Sequence, residues 1–198
     1  TINSPYVAKL KKLVTFVPVC AEVEIGLGVP RKPIRLVKQN NIIYLKQNET
    51  GLDVSEKMHT FSKYFLNTLI DIDGFILKDR SPSCGNKDVK IYSDIGKVPT
   101  LKSNGTGLFA HHVLKQFSYL AIENEGRLMS FSLREHFYTK LYCLTAFRKL
   151  IASPSMKKLV EFHSVNKYLF MAYNQTCLKE MGRVVANHDK LNLHAVID

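Results

Sequence analysis

The sequence predicts an α/β domain followed by an all-helical one. Short apolar, β-branched runs alternate with amphipathic helical stripes through the first two-thirds of the chain, which implies strands and helices packed in layers. After about Glu123 the strand signals stop, and apolar residues recur only at helical spacing. With 198 residues, 45% of them hydrophobic, the chain can bury a real core in one large domain or two small ones.

Taken in order, Val7, Leu10, Leu13 and Val14 form a helical stripe, with Lys9, Lys11 and Lys12 on the wet side. Residues 15–19 read as a buried strand broken near Pro18. Residues 34–37 and 42–45 read as further strands, joined through Asn40-Asn41. Asp53 with Glu56 predicts a capping box, opening a helix with Met58, Phe61, Phe65, Leu66, Leu69 and Ile70 on one side. Gly74 ends that segment, and Phe75-Ile76-Leu77 predicts a short buried strand. Gly105-Thr106-Gly107 opens a helix through Leu108, Val113, Leu114 and Phe117. In the last part Leu133, Phe137, Leu141 and Leu144 predict one helix. Ser153-Pro154 predicts the capped start of a second running to about Tyr173, and Leu178, Met181 and Val185 mark a third.

The net charge of +11 favours a polyanionic partner, with nucleic acid ahead of a membrane surface. No apolar run approaches the ~18 residues that would span a bilayer. The first residues, Thr1-Ile2-Asn3-Ser4-Pro5, lack the pattern of a secretion signal. Four cysteines, at 20, 84, 143 and 177, are too few and too scattered for a disulfide scaffold, so a reducing cytoplasm is expected.

Two of these cysteines stand where an apolar run gives way to a Gly/Pro/Ser loop: Cys20 in Val17-Pro18-Val19-Cys20-Ala21-Glu22, and Cys84 in Ser81-Pro82-Ser83-Cys84-Gly85. A metal ligand or nucleophile needs such a fixed, accessible sulfur, and Arg31, Lys32, Lys78 and Arg80 could favour a thiolate. The alternative is two loop thiols with no role. No C-x-x-C pair exists, which argues against a zinc ribbon or thioredoxin-like site. Cys20 and Cys84 must instead converge from the ends of two strands, where sites gather in open α/β sheets. Glu22, two residues after Cys20, could point the same way in an extended loop and move protons; it could equally be a solvated surface residue. Ser83 could donate to a substrate or simply shape its turn.

Other features are weaker. Asn104-Gly105-Thr106-Gly107 could cradle an anion on free helix N–H groups. His111 and His112 diverge by about 100° on one helix and cannot both face one metal. His163 reads more readily as a core or boundary histidine than as a functional one. Lys157, Lys158, Lys167, Arg183 and Lys190, with Tyr168 and Tyr173, could form a basic, aromatic surface for RNA, the alternative being a solvated charged face.

At Cys20-Ala21-Glu22, Gly26, Gly28, Pro30-Arg31, Ser81-Pro82-Ser83-Cys84-Gly85, Gly105, Gly107 and Ala110 the chain resembles the TudS-like thiouracil-desulfidase family, with Ala21 where the family has Pro. Residues 1–121 carry that resemblance and imply a small Rossmann-like α/β iron–sulfur domain. Residues 123–198 resemble the YbgA-like helical domain, through Glu125-Gly126-Arg127-Leu128, Arg134-Glu135-His136-Phe137, Phe162-His163, Lys167-Tyr168-Leu169-Phe170-Met171-Ala172 and Gly182-Arg183-Val184-Val185-Ala186. Asn166 stands where that family often has a second His.

The pairing of these domains is similar to enzymes that remove sulfur from 4-thiouridine in tRNA, the helical part being the RNA-binding one. The resemblance implies three cysteines holding a 4Fe–4S cluster, with one iron left as a Lewis acid toward the thiocarbonyl sulfur. Cys20 and Cys84 would be two of those ligands, Glu22 would move protons and Ser83 would orient the base. The family's first cluster cysteine lies upstream of the segment matching Thr1-Ile2-Asn3-Ser4-Pro5. The expectation is therefore an N-terminally incomplete desulfidase domain that lacks its third ligand, binds a cluster poorly and is inactive as given. The competing readings are a non-catalytic RNA-binding protein that has lost its cluster site, and a Cys/His zinc domain with a structural role.

Overall fold

The computed structural model describes residues 2–187 and 190–197. It divides into two compact units, residues 1–140 and 141–198. The first unit is mixed α/β and the second is helical, as the sequence predicts.

In the first unit, α1 (Pro5–Leu10) precedes a loop and the short α2 (Ala21–Glu24). The strands β1 (Ile34–Gln39) and β2 (Ile42–Gln47) form an antiparallel hairpin, registered from Ile34 opposite Gln47 to Gln39 opposite Ile42. Asn40 and Asn41 turn it with φ of 50° and 63°, the left-handed pair that matches strand twist. Helix α3 (Ser55–Thr68), β3 (Gly74–Leu77), β4 (Val89–Tyr92), β5 (Thr100–Gly105), α4 (Leu108–Gln116) and β6 (Ala121–Asn124) follow. The larger sheet has the order β2-β1-β4-β5, with β1 and β4 parallel and both outer pairs antiparallel. The strands β3 and β6 pair in parallel as a separate sheet.

Leu36, Leu45, Met58, Leu66, Val89, Phe109 and Val113 are buried in one apolar cluster of this unit. Met58, Ser62 and Leu66 lie one turn apart on α3, so a single stripe faces that cluster. Phe61 stacks on Phe65 at 5.5 Å and on Phe109 at 6.1 Å, fastening α3 to α4.

Several local expectations need correction. Residues 15–19 form no strand; they are mostly exposed, Val17 at 58%, and Pro18 removes a ladder donor. The capping box at Asp53 does not form: Asp53 accepts from Ser55 N at 2.9 Å and Ser55 Oγ at 2.5 Å, and the helix begins at Ser55. Ser55 Oγ in turn accepts from Leu45 N at 2.7 Å, so the start of α3 is pinned to β2. The strands β5 and β6 carry too little apolar alternation to be seen in the sequence, and β4 alternates over only four residues; β5 is exposed along nearly all its length.

The division between the units falls within α5 (Phe131–Ala152). In the second unit α6 (Met156–Tyr173), α7 (Gln175–Ala186) and α8 (Leu193–Ile197) follow. Leu150, Leu159 and Val196 are buried there with Phe147, Phe162 and Val185 against them. The cap of α6 is Ser155, accepting from Lys158 N at 3.2 Å, two residues beyond the expected Ser153. Ser153 instead receives the Lys158 ammonium at 2.9 Å. Asn174 caps α7 through Thr176 N and Cys177 N.

Candidate functional site

Two loops of the first unit meet to make the site. The first runs from the exposed segment 15–19 into α2, where Cys20 occupies the N-cap position and is exposed. Ala21 and Ile25 are buried and anchor this short turn in the apolar cluster. The chain then reverses through Gly26 (φ 86°) and Gly28 (φ 70°), left-handed positions that favour glycine, and delivers Arg31 back to the turn. The second loop, residues 81–85, follows β3 and closes on itself through Gly85 N to Ser81 O at 2.8 Å.

Glu22 joins the loops. Its Oε1 accepts from Ser83 Oγ at 2.5 Å and more weakly from Ser81 Oγ at 3.4 Å. Its Oε2 is ion-paired with Arg31 Nε. Arg31 also directs Nη2 at Cys20 Sγ, 3.8 Å away. Burial opposes the Arg31 charge, but the charge and hydrogen bond of Glu22, with a smaller share from Cys20, raise its pKa further. Ser83 is fully buried; its hydroxyl also meets Ser81 Oγ at 2.9 Å and Cys84 Sγ at 3.5 Å. Burial pushes the Cys84 thiol up to about 11, against the Ser83 hydrogen bond and with a further push from Glu22.

The structure thus brings Cys20, Glu22, Ser83 and Cys84 together, although not as an extended loop would. Cys20 and Glu22 sit on a helical turn, where a two-residue spacing does not align side chains; Arg31 is what links them.

The anion cradle expected at residues 104–107 does not exist. Gly107 N donates to Gly85 O at 2.8 Å, Leu108 N to Pro82 O at 3.2 Å and Ala110 N to Ser83 O at 3.1 Å. The N-terminus of α4 is therefore spent on holding the cysteine loop. A Cβ at Gly107 would collide with Ser83 O, so only glycine permits this approach.

A buried polar network behind the loop was not legible in the sequence. Asn86 Nδ2 donates to Glu123 Oε1 at 3.2 Å, and Asn124 Nδ2 donates to Asn86 Oδ1 at 2.7 Å. Arg127 Nε completes it on Glu123 Oε1 at 2.9 Å. Glu123 and Asn124 end β6, so the network ties Asn86, two residues after Cys84, to the C-terminal end of the β3–β6 pair. The one available signal was Asn86, two residues beyond the cysteine and polar in a loop that the fold buries.

The remaining candidates fall elsewhere. His112 Nε2 lies 2.8 Å from His59 Nδ1, bridging α4 and α3, while His111 is exposed. In the second unit Lys157, Lys158, Lys167 and Arg183 are all exposed. Lys157 and Tyr168 are about three turns apart and share a side of α6, whereas Lys158 and Lys167 are about two and a half turns apart and lie on opposite sides. His163 packs against Phe170, and its Nε2 has no hydrogen-bond partner among the described residues. Lys190 is exposed.

The family model for 2-thiouracil desulfurase matches residues 1–125, and a family described as a protein of unknown function (DUF1722) matches residues 167–198. An α/β unit with a thiol, a carboxylate and a Ser-Pro-Ser-Cys-Gly loop is the class of protein in question; the chain belongs to the 2-thiouracil desulfurase family. Its C-terminal segment, residues 167–198, is similar to the DUF1722, or YbgA-like, helical family. A solved structure, a [4Fe-4S]-dependent thiouracil desulfidase TudS, is similar at 24% identity over 68% of this chain and 83% of its own length, with a TM-score of 0.47. No curated protein matches the chain.

The donor set suits such a cluster in part. Cys20 and Cys84 are free thiols in one site, with Arg31 donating toward the Cys20 sulfur and the Ser83 hydroxyl 3.5 Å from the Cys84 sulfur, polar surroundings of the kind that tune thiolate-held clusters. Among the described residues no group of three or more His, Cys, Asp or Glu is placed to hold a metal ion. Cys143 and Cys177 belong to the second unit.

Proposed function

We propose that the protein is an iron–sulfur-dependent desulfidase that replaces C=S by C=O in a thiolated pyrimidine, 4-thiouridine in tRNA being the substrate we favour. The observation that supports this most is the convergence of Cys20 and Cys84 on Glu22 and Ser83. Cys20 and Cys84 would supply two thiolates to a 4Fe–4S cluster. When bound, such a cluster offers a soft Lewis acid for the thiocarbonyl sulfur.

The reaction balances as thiocarbonyl plus water giving carbonyl plus hydrogen sulfide, with no net oxidation. Glu22 takes the proton of the attacking water and returns it to the departing sulfur. Ser83, bonded to Glu22 Oε1, holds that carboxylate in place against the base. The burial of Ser83 keeps bulk water from competing for the carboxylate at this edge.

We assign residues 1–121 to the desulfidase domain and residues 123–198 to an RNA-binding domain. Exposed Lys157, on the side of α6 that carries exposed Tyr168, suits phosphate contact next to base stacking, and exposed Lys158, Lys167 and Arg183 offer phosphate contacts on other sides. The net charge of +11 supports the same partner. We place the protein in the cytoplasm, where tRNA and free thiols coexist; among the described residues no helix is long and apolar enough to cross a membrane.

The test is to incubate the full-length protein, reconstituted anaerobically, with 2-thiouracil, with 4-thiouridine and with thiolated tRNA, following the thiocarbonyl absorbance. Loss fastest with tRNA is expected. Loss with the free base only would remove the tRNA assignment, and loss with none would remove the desulfidase.

A further inference from the structure

We propose that Arg31 is a positioning residue: one guanidinium spans Glu22 and Cys20 and holds the proton-moving carboxylate and the thiol at a set separation. This rests on the desulfidase reading of the same site.

Three observations carry it. First, Arg31 Nε pairs with Glu22 Oε2, which leaves Oε1 alone to face Ser83. The carboxylate is thereby divided, one oxygen for the clamp and one for the hydroxyl. Second, Nη2 of the same planar group points at Cys20 Sγ, 3.8 Å away, so the two contacts cannot shift independently. Third, the clamp is itself held: Gly26 and Gly28 reverse the chain at positive φ, and Nη1 reaches back to Gly28 O at 3.4 Å. The side chains of Arg31 and Glu22 are only 27% and 12% exposed, so neither is a freely solvated surface charge. A lysine carries the charge but only as a point, and it cannot cover Glu22 and Cys20 together.

Two measurements on the full chain decide this. In wild-type protein, the Arg31 Nε–H resonance should exchange more slowly than those of exposed arginines, and Glu22→Ala should remove that protection. Nε–H exchange as fast as that of exposed arginines would overturn the clamp, whatever the activity. With the reconstituted protein, Arg31→Lys and Arg31→Ala should lower kcat by roughly 100-fold, the cost of a misplaced catalytic group, with KM changed by less than about threefold. Added guanidinium should restore part of the Arg31→Ala rate. Wild-type kcat in Arg31→Lys, or an Arg31→Ala deficit that guanidinium leaves untouched, would overturn it as well. A wild-type protein with no thiocarbonyl loss would sink the desulfidase reading, while the exchange measurement would still judge the clamp.

Discussion

Ser83 donates its hydroxyl to the Glu22 carboxylate across 2.5 Å, although the two residues stand 61 positions apart in the chain. That bond ties the α2 turn to the cysteine loop. It places a proton-accepting group against a hydroxyl in the same site as both thiols, and most of what can be tested concerns what depends on it.

Glu22→Gln keeps the shape and an acceptor oxygen but removes the carboxylate that the proposed reaction uses as its base. The rate of thiocarbonyl loss should fall by about 10²- to 10⁴-fold, the usual range for a general acid–base group. Ser83→Ala should cost less, because the carboxylate remains and only its restraint is lost. Steady-state kinetics on both variants check the order; a Ser83→Ala enzyme slower than Glu22→Gln would reverse the roles.

The Cys84 thiol, pushed up to about 11 by burial, should resist alkylation in the cluster-free protein at pH 8, while exposed Cys20 is modified. The sign of the stability effect follows. Above its ordinary value of 9.0 the unfolded chain has released this proton, whereas the folded chain keeps it until about 11. Stability is therefore lost as pH rises from about 9 to 11, and Cys84→Ala should flatten that decline in Tm. Mass spectrometry of the modified sites and thermal melts across that window check the two halves.

Burial, then the neighbouring His59, His111, Lys63 and Lys115, lowers the pKa of His112 below its usual 6.5. Below that value the unfolded chain binds a proton that the folded one refuses, so stability should fall as pH drops through and below about 6.5. His112→Gln should lessen the fall, because the group that refuses the proton is gone. Melting curves at several pH values measure it; an unchanged slope would sever the link to this pair.

Gly107→Ala should be far worse than its size suggests. The new methyl would collide with Ser83 O and lie 2.9 Å from Cys84 N, so α4 and the cysteine loop must separate. Overpacking of this kind costs about 1–3 kcal/mol, read from denaturant midpoints. Desulfidase activity should disappear even where the fold survives, because both Ser83 and Cys84 are displaced.

If the second unit binds RNA, Lys157→Gln with Lys167→Gln should weaken tRNA binding and reduce its salt dependence. Removing one lysine–phosphate interaction should lower the slope of log affinity against log salt by about 1. Binding isotherms at several ionic strengths decide it, and an unchanged slope would point to another surface.

The legible parts of this protein were those written in neighbouring residues. The hairpin at Asn40-Asn41, the stripe of Met58 and Leu66, the glycines opening α4 and the helical texture after Glu123 all follow from local periodicity and turn chemistry. The strand expected at residues 15–19 failed for a physical reason: an apolar run reads the same whether a partner strand covers it or water does. The strands β5 and β6 were missed for the converse reason, since pairing with β4 and β3 makes them strands despite their polar residues.

The sequence by itself determined the α/β-then-helical order and the pair of loops that carry Cys20, Glu22, Ser83 and Cys84. Only the tertiary structure decided how those residues meet. It closed the supposed anion cradle onto the cysteine loop, joined Glu22 to Ser83, and made Arg31 the bridge between carboxylate and thiol. The reason is that a buried polar atom takes its partner from whatever the fold places within hydrogen-bond reach, and that distance is not recorded in spacing along the chain.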